Sequence, residues 1–231
     1  MIVRERDGDV EVLRLDRPAQ RNAMSTALLV AFVDALDELA ADDGLRALVI
    51  STTSTAALSA GADVGEELDA AGGLARMTLF TRLYTAIDAF PAPTIAVCVG
   101  NCVGAGAELA AGCDLRVAGD NLKLAWAGAK HGVPVGPARL TTLIGMSRAK
   151  EIVYSGRVVG AQEALTIGLA HDAVGADAAE ARALERAHGL GDVRTLKRLF
   201  ADVSGSAAHV AGENAALLEF QARGRGLPRR G

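Results

Sequence analysis

The chain predicts a mixed α/β fold, with its strands gathered in the first half and its helices in the second. Three stretches carry that expectation. Residues 94–119, TIAVCVGNCVGAGAELAAGCDLRVAG, begin as an apolar β-rich run and break at Gly100. A glycine-spaced turn (Gly100, Gly104, Gly106), a short Ala/Leu segment around Glu108–Leu109–Ala110–Ala111 and a second apolar run at 115–118 follow, which reads as strand, turn, buried helix, strand. Residues 26–41 place Leu28, Leu29, Phe32, Leu36 and Leu39 opposite Asp34, Asp37 and Glu38, the stripe of an amphipathic helix. Beyond residue 139 the apolar spacing is helical almost to the end, interrupted by glycines.

The elements around these anchors follow in order. Runs 2–6 and 10–16, split by Asp7-Gly8-Asp9, read as a hairpin. The polar loop 17–24 ends at Ser25, a helix N-cap for the 26–41 segment. Residues 45–51 have the composition of a buried strand, and 52–63 read as a loop. An acidic turn, 65–69, ends flexibly at Gly72-Gly73. A helix over 74–90 carries Leu79, Leu83 and Ile87 at four-residue steps and is stopped by Pro91 and Pro93. After the central unit, 121–126 adds a strand and 127–137 is a Gly/Pro-rich loop. Helices follow at 139–145, 147–154, 162–167, 176–188 and 193–220, the last broken at Ser204-Gly205-Ser206. No repeat of solenoid period and no interdomain linker is visible. The organisation expected is a core over 1–175 and a helical oligomerisation region over 176–231.

At 231 residues, half of them apolar but only 3% aromatic, the core is one of Ala, Val, Leu and Ile. A net charge of −4 argues against a nucleic-acid groove or a polybasic membrane surface. No run is long enough to span a membrane and residues 1–12 lack a secretory core, so cytoplasm is the expected location. Cys98, Cys102 and Cys113 read as reduced, buried thiols, and no Cys/His spacing suits a metal.

The chemistry concentrates at the central turn. Small residues there let backbone approach a ligand, and the free N–H groups of a helix's first turn hold an anionic oxygen. Glu108 is a lone carboxylate in that turn, inside an apolar segment. Either it moves protons, its pKa raised by burial, or it is a buried acid paired with an arginine, for which Arg116 and Arg139 are the candidates. A dinucleotide site is excluded, because Gly104 and Gly106 lack the third glycine and the downstream ribose-binding acid.

Four motifs, in order, resemble the crotonase (enoyl-CoA hydratase/isomerase) superfamily. Residues 17–24, with Asn22-Ala23-Met24, resemble its first CoA-binding loop. Ser59-Ala60-Gly61-Ala62-Asp63 resembles its AGAD segment. Gly104-Ala105-Gly106-Ala107-Glu108-Leu109 with Cys113-Asp114 resembles its glycine-rich helix start, and 156–169 resembles a later helical segment. The resemblance implies a spiral of ββα turns followed by helices that pack as trimers or dimers of trimers. It also implies an acyl-CoA thioester as substrate, with no cofactor or metal. The backbone N–H groups of Ala62 and Ala105 are the implied oxyanion donors and Glu108 the implied acid/base. Asn22, Ala23, Met24, Ala60, Gly61, Asp63, Gly104, Gly106, Gly128 and His131 are the implied substrate contacts. Ala105 stands where the family more often has glycine.

Hydratases of this family use two glutamates. Glu108 matches the first, and the second falls at Ala127 or Gly128, neither of which transfers a proton. Loss of one positioned acid/base costs ~10²–10⁴-fold, so isomerisation is favoured over hydration, with a binding or carrier protein of the same fold as the alternative. Lys130 and His131 share that loop; His131 is the better proton carrier near neutral pH, set against the plainer reading of an exposed loop histidine. Glu66, Glu67 and Asp69 read either as pocket lining or as a solvated face, Asp63 as a turn cap or a polar group near adenine, and Tyr84 and Trp126 as core or pocket wall. Arg223, Arg225, Arg229 and Arg230 read as phosphate contacts or a solvating tail.

Overall fold

A computed structural model describes residues 1–224; Arg225, Arg229 and Arg230, weighed above as phosphate contacts, lie outside the described residues. Strands β1 (Ile2–Asp7) and β2 (Val10–Leu15) form the expected antiparallel hairpin, with Asp7 opposite Val10. Helix α1 (Thr26–Ala40) is capped by Ser25, whose side chain accepts from the Leu28 N–H. There follow β3 (Ala47–Thr52), β4 (Ala57–Ser59) and α2 (Ala70–Asp88), then β5 (Thr94–Cys98), β6 (Asn101–Val103) and α3 (Ala105–Gly112), then β7 (Leu115–Gly119) and β8 (Lys123–Ala125). Each turn of this spiral sends one strand to each of two sheets. The larger has the order β1-β2-β3-β5-β7-β9, with β9 (Asp172–Val174) at its edge, and the smaller is β4-β6-β8. Beyond the hairpin the pairings are parallel.

Parallel strands need both faces covered. On one face of the large sheet Val12, Val49, Val97 and Val117 meet Ala179, Ala183 and Ala187 of α7 (Ala179–Gly189), whose alanines recur every fourth residue and let the helix sit close. The other face packs on α1 and α2 through Leu13, Leu48, Ile50, Phe32 and Leu36. Helices α4 (Pro137–Ile144), α5 (Met146–Ser155) and α6 (Ala161–Thr166) precede β9, and α8 (Arg194–Ser204) and α9 (Ser206–Ala222) follow α7. Helix α9 returns to α2, where the buried Asn214 amide donates to Thr81 O and Thr85 Oγ1, each at 3.1 Å.

The structure departs from the sequence expectation in the small sheet and in α2. Residues 57–59 and 101–103, read as loop and turn, are strands β4 and β6. Each is three residues long and is specified by partners from other turns of the spiral rather than by local pattern. Helix α2 runs through Gly72-Gly73, because Asp69 caps it, accepting from Gly72 N at 2.7 Å, and tertiary packing outweighs the glycine cost.

The spiral brings the backbone after β4 against the start of α3. A Cβ on Gly106 would lie 2.4 Å from Ser59 O, and one on Gly61 (φ 94°) would lie 2.7 Å from Val103 O. Backbone stands on both sides of each contact, so neither yields cheaply. Gly106→Ala is therefore expected to destabilise the protein by about 1–3 kcal/mol, as overpacking does, read as a fall in Tm. An unchanged Tm would show that the two segments separate freely.

Candidate functional site

Three residues, Asn22, Ser59 and Met24, set the loop between β4 and α2. Asn22 is fully buried with φ 52°. Its Oδ1 accepts from Arg17 N at 2.7 Å, and its Nδ2 donates to Thr52 Oγ1 and to the carbonyls of Ala57 and Leu58 at 2.8–3.1 Å. The Ser59 hydroxyl donates to Asn22 O and accepts from Gly61 N. Met24, also without exposed surface, joins the loop by a short parallel bridge: its N–H donates to Gly61 O and its carbonyl accepts from Asp63 N. A bridge of that kind uses the groups on either side of residue 62 and turns the Ala62 N–H the other way. Among the described residues neither that N–H nor the N–H of Ala105, the first residue of α3, has an acceptor in the chain. The Ala105 nitrogen lies only 3.6 Å from the place of a Cβ on Gly61, so the two free donors are neighbours.

Both alanines line a cavity of about 200 Å³. Ala60, Gly61 and Ala62 form one wall, Val103, Gly104 and Ala105 the next, and Ala127, Gly128 and His131 a third. Met77, Phe80 and Tyr84, one stripe of α2, close the apolar end with Val133, Val135 and Leu217 of α9. The Phe80 and Tyr84 rings stack at 6.1 Å between centroids.

Beneath this cavity lies a buried ionic cluster. Glu108 has no exposed surface. One of its oxygens accepts from Trp126 Nε1 and the other from Arg139 at 2.6 Å. Arg139 also reaches Glu213 of α9 at 3.3 Å, and its guanidinium lies 5.0 Å from the centre of the Tyr84 ring. Glu213 in turn accepts from Ala138 N at the start of α4, a helix whose N-cap, Gly136, has no side chain to do so. One guanidinium balances one carboxylate, so burial first and the Glu108 charge second raise the Glu213 pKa to about 8. Burial, and after it the same Glu108 charge, also push the Tyr84 phenol well above its ordinary value.

Of the sequence-implied contacts, Ala60, Gly61, Ala62, Gly104, Ala105, Gly128 and His131 meet at the cavity. Asn22, Ala23, Met24, Asp63, Gly106 and Glu108 are not part of its wall. Asn22 and Met24 are sealed and brace residues 60–63. Gly106 is a packing glycine. Asp63 caps a turn, accepting from Gly65 N at 3.1 Å, and pairs with Arg17 at 3.0 Å. Of the two readings of Glu108, the geometry has the paired acid, with Arg139 as the partner. Arg116 is occupied elsewhere, donating to the carbonyls of Cys113 and Leu169. Glu66 is tied to Thr26 and Arg76, Asp69 caps α2, and Glu67 faces outward. The residues that sequence reasoning missed are Met77 and Phe80, visible as a 3–4 spaced stripe with Tyr84, and Glu213, for which α9 carries no signal. Among the described residues the cysteines are free and buried, no cluster of metal ligands occurs, and no helix is long and apolar enough to cross a membrane.

Comparison with known proteins gives this architecture a family. The family model for enoyl-CoA hydratase/isomerase matches residues 5–212. A putative enoyl-CoA hydratase of Thermus thermophilus is 32% identical over 201 residues, 83% of this chain and 76% of that protein. A probable enoyl-CoA hydratase of Mycobacterium avium is 37% identical over 176 residues, 74% and 68% of the two chains. A longer relative from Penicillium crustosum, an enoyl-CoA isomerase/hydratase, is 35% identical over 181 residues, but the match spans only 21% of its length. The crystal structure of an enoyl-CoA hydratase/isomerase from Xanthobacter autotrophicus superposes with a TM-score of 0.84 at 27% identity, covering 98% of this chain and 88% of that one. The chain belongs to the enoyl-CoA hydratase/isomerase family and has the crotonase fold.

The cluster has a pH signature. Glu213 keeps its proton in the folded protein up to about pH 8 but loses it near 4.5 when unfolded. Between those values the folded state binds the extra proton, so its stability falls as pH rises. Glu213→Gln removes that dependence. The variant's Tm relative to the parent is expected to improve steadily from pH 5 to pH 8; a constant difference would show that Glu213 is ionised throughout.

Proposed function

We propose that the protein binds acyl-CoA thioesters and stabilises the thioester enolate. The Ala62 and Ala105 N–H groups hold the carbonyl oxygen as it gains charge. One observation carries this reading: two neighbouring backbone donors, without acceptors among the described residues, belong to residues that line the same apolar cavity. Donors fixed before the reaction stabilise charge that develops during it, and the dipole of α3 adds to the field at Ala105. The favoured reaction is isomerisation, with hydration weak, because among the described residues no carboxylate stands in the cavity wall to activate water. Glu108 enters as the fixed anion that positions Arg139 and Trp126 under the pocket rather than as the expected acid/base. No cofactor beyond the CoA thioester is required.

The same absence of a wall carboxylate favours a second reading, an acyl-CoA-binding or carrier protein. A paired measurement separates the two. Enolate chemistry predicts binding of a saturated acyl-CoA by calorimetry together with isomerisation of a 3-enoyl-CoA; a carrier shows the binding alone, and no binding refutes both.

Proline is tolerated at the first position of a helix and has no N–H. Ala105→Pro is therefore expected to preserve the fold and lower kcat by ~10²–10³-fold, the usual effect of deleting one such donor. An unchanged kcat would remove Ala105 from the mechanism.

We also propose that the chain assembles as a homotrimer or a dimer of trimers through its C-terminal helices. Leu196, Leu199, Phe200 and Val203 form an exposed apolar stripe on α8, with Val203 87% exposed. Sedimentation is expected to give a trimer or hexamer for the parent and a monomer for Phe200→Asp; the same mass for both would place the contact elsewhere.

A further inference from the structure

Of the described residues that line the cavity, two have titratable side chains, Tyr84 and His131. The family resemblance points instead to Glu108, which is sealed behind the wall with both oxygens engaged by Trp126 and Arg139. Tyr84 is a poor base, because a phenol in that position stays protonated. Lys130, the other basic residue of the loop, folds away: its Cε lies 2.7 Å from the place of a Cβ on Gly156. His131 closes the short turn Ala127–His131, which is fixed by hydrogen bonds from Gly132 N to Ala129 O at 2.9 Å and from Val133 N to Gly128 O at 3.1 Å. Its imidazole has no hydrogen-bond partner among the described residues, and the residue both lines the cavity and is exposed to solvent.

We propose that His131 is the group that takes and returns the substrate proton in this cavity, an inference that rests on the thioester reading above. The neutral imidazole removes a proton from the α-carbon. The C–H electron pair becomes a carbon–carbon π bond, and the carbonyl π pair moves onto the oxygen held by Ala62 and Ala105. For a 3-enoyl thioester, the imidazolium delivers a proton to the γ-carbon: the β,γ π pair becomes the new C–H bond, and the π pair between the α-carbon and the carbonyl carbon shifts to the α,β position. The oxygen pair then re-forms the carbonyl and leaves the double bond conjugated with it. Atoms and electrons balance with no co-reactant. With a saturated thioester the only forward course is return to the α-carbon, and an imidazolium in contact with water exchanges its proton before giving it back.

The test is therefore α-deuterium incorporation into butyryl-CoA in D₂O, followed by NMR, alongside calorimetric affinity for the same ligand. The parent is expected to bind and to exchange. His131→Gln is expected still to bind, with affinity changed by only a few-fold, and to exchange ~10²–10⁴-fold more slowly. Added imidazole is expected to restore exchange to His131→Ala, which a purely structural role would not allow. Parental exchange in His131→Gln overturns the proposal and leaves the thioester reading standing. A parent that binds without exchanging also overturns it and leaves a carrier. A parent that does not bind refutes the thioester reading, and the proposal with it.

Discussion

Two backbone segments approach each other in this protein more closely than side chains permit, and the site exists because of that approach. Residues 59–62 leave the small sheet and pass over the start of α3, with Gly61 and Gly106 at the crossing. A methyl group at either position would strike a carbonyl oxygen. With the crossing closed, the amides of Ala62 and Ala105 stand side by side. The rest of the spiral keeps it closed. Asn22 threads the turn before α1 to the strand ends from below, and Met24 bridges from the side. Buried amides of this kind are costly to leave unpaired, which makes the arrangement rigid.

How far the sequence discloses such a site depends on the range of the forces that build it. The glycine spacing at 100, 104 and 106 and the lone Glu108 stand out locally, and the ordered motifs they belong to suffice for the fold. The hairpin, α1, β3, β5 and β7 follow from alternation or from helical spacing. Strands β4 and β6 do not, since three-residue segments draw their pairing from other turns of the spiral. The fate of Glu108 was legible only as an alternative, because its partner comes from 31 residues away and its surroundings from a helix further still. The same holds for Asn22: the family resemblance implies a ligand contact, whereas its four side-chain hydrogen bonds turn inward.

The division of labour beneath the pocket has an electrostatic logic. A carboxylate buried beneath an apolar cavity without a partner would carry a large desolvation cost. Pairing Glu108 with Arg139 cancels the charge, and the proton held by Glu213 keeps the cluster from becoming net negative. The Arg139 guanidinium under the Tyr84 ring extends this arrangement to the apolar end of the cavity. Among the described residues the cavity wall thus presents the Ala62 and Ala105 N–H groups, while the Glu108 carboxylate lies behind it.

Helix α9 also sets the order in which the molecule is completed. It supplies Leu217 to the cavity, Asn214 to α2 and Glu213 to both Arg139 and the open end of α4. Arg139 and Glu213 are separated by 74 positions in the chain. During synthesis from the N terminus, the spiral and its glycine crossing emerge first, while the pocket lacks a wall and α4 lacks its cap. A nascent chain therefore exposes the Ala62 and Ala105 amides before the cavity beside them is closed, and that wall is complete only once α9 has emerged.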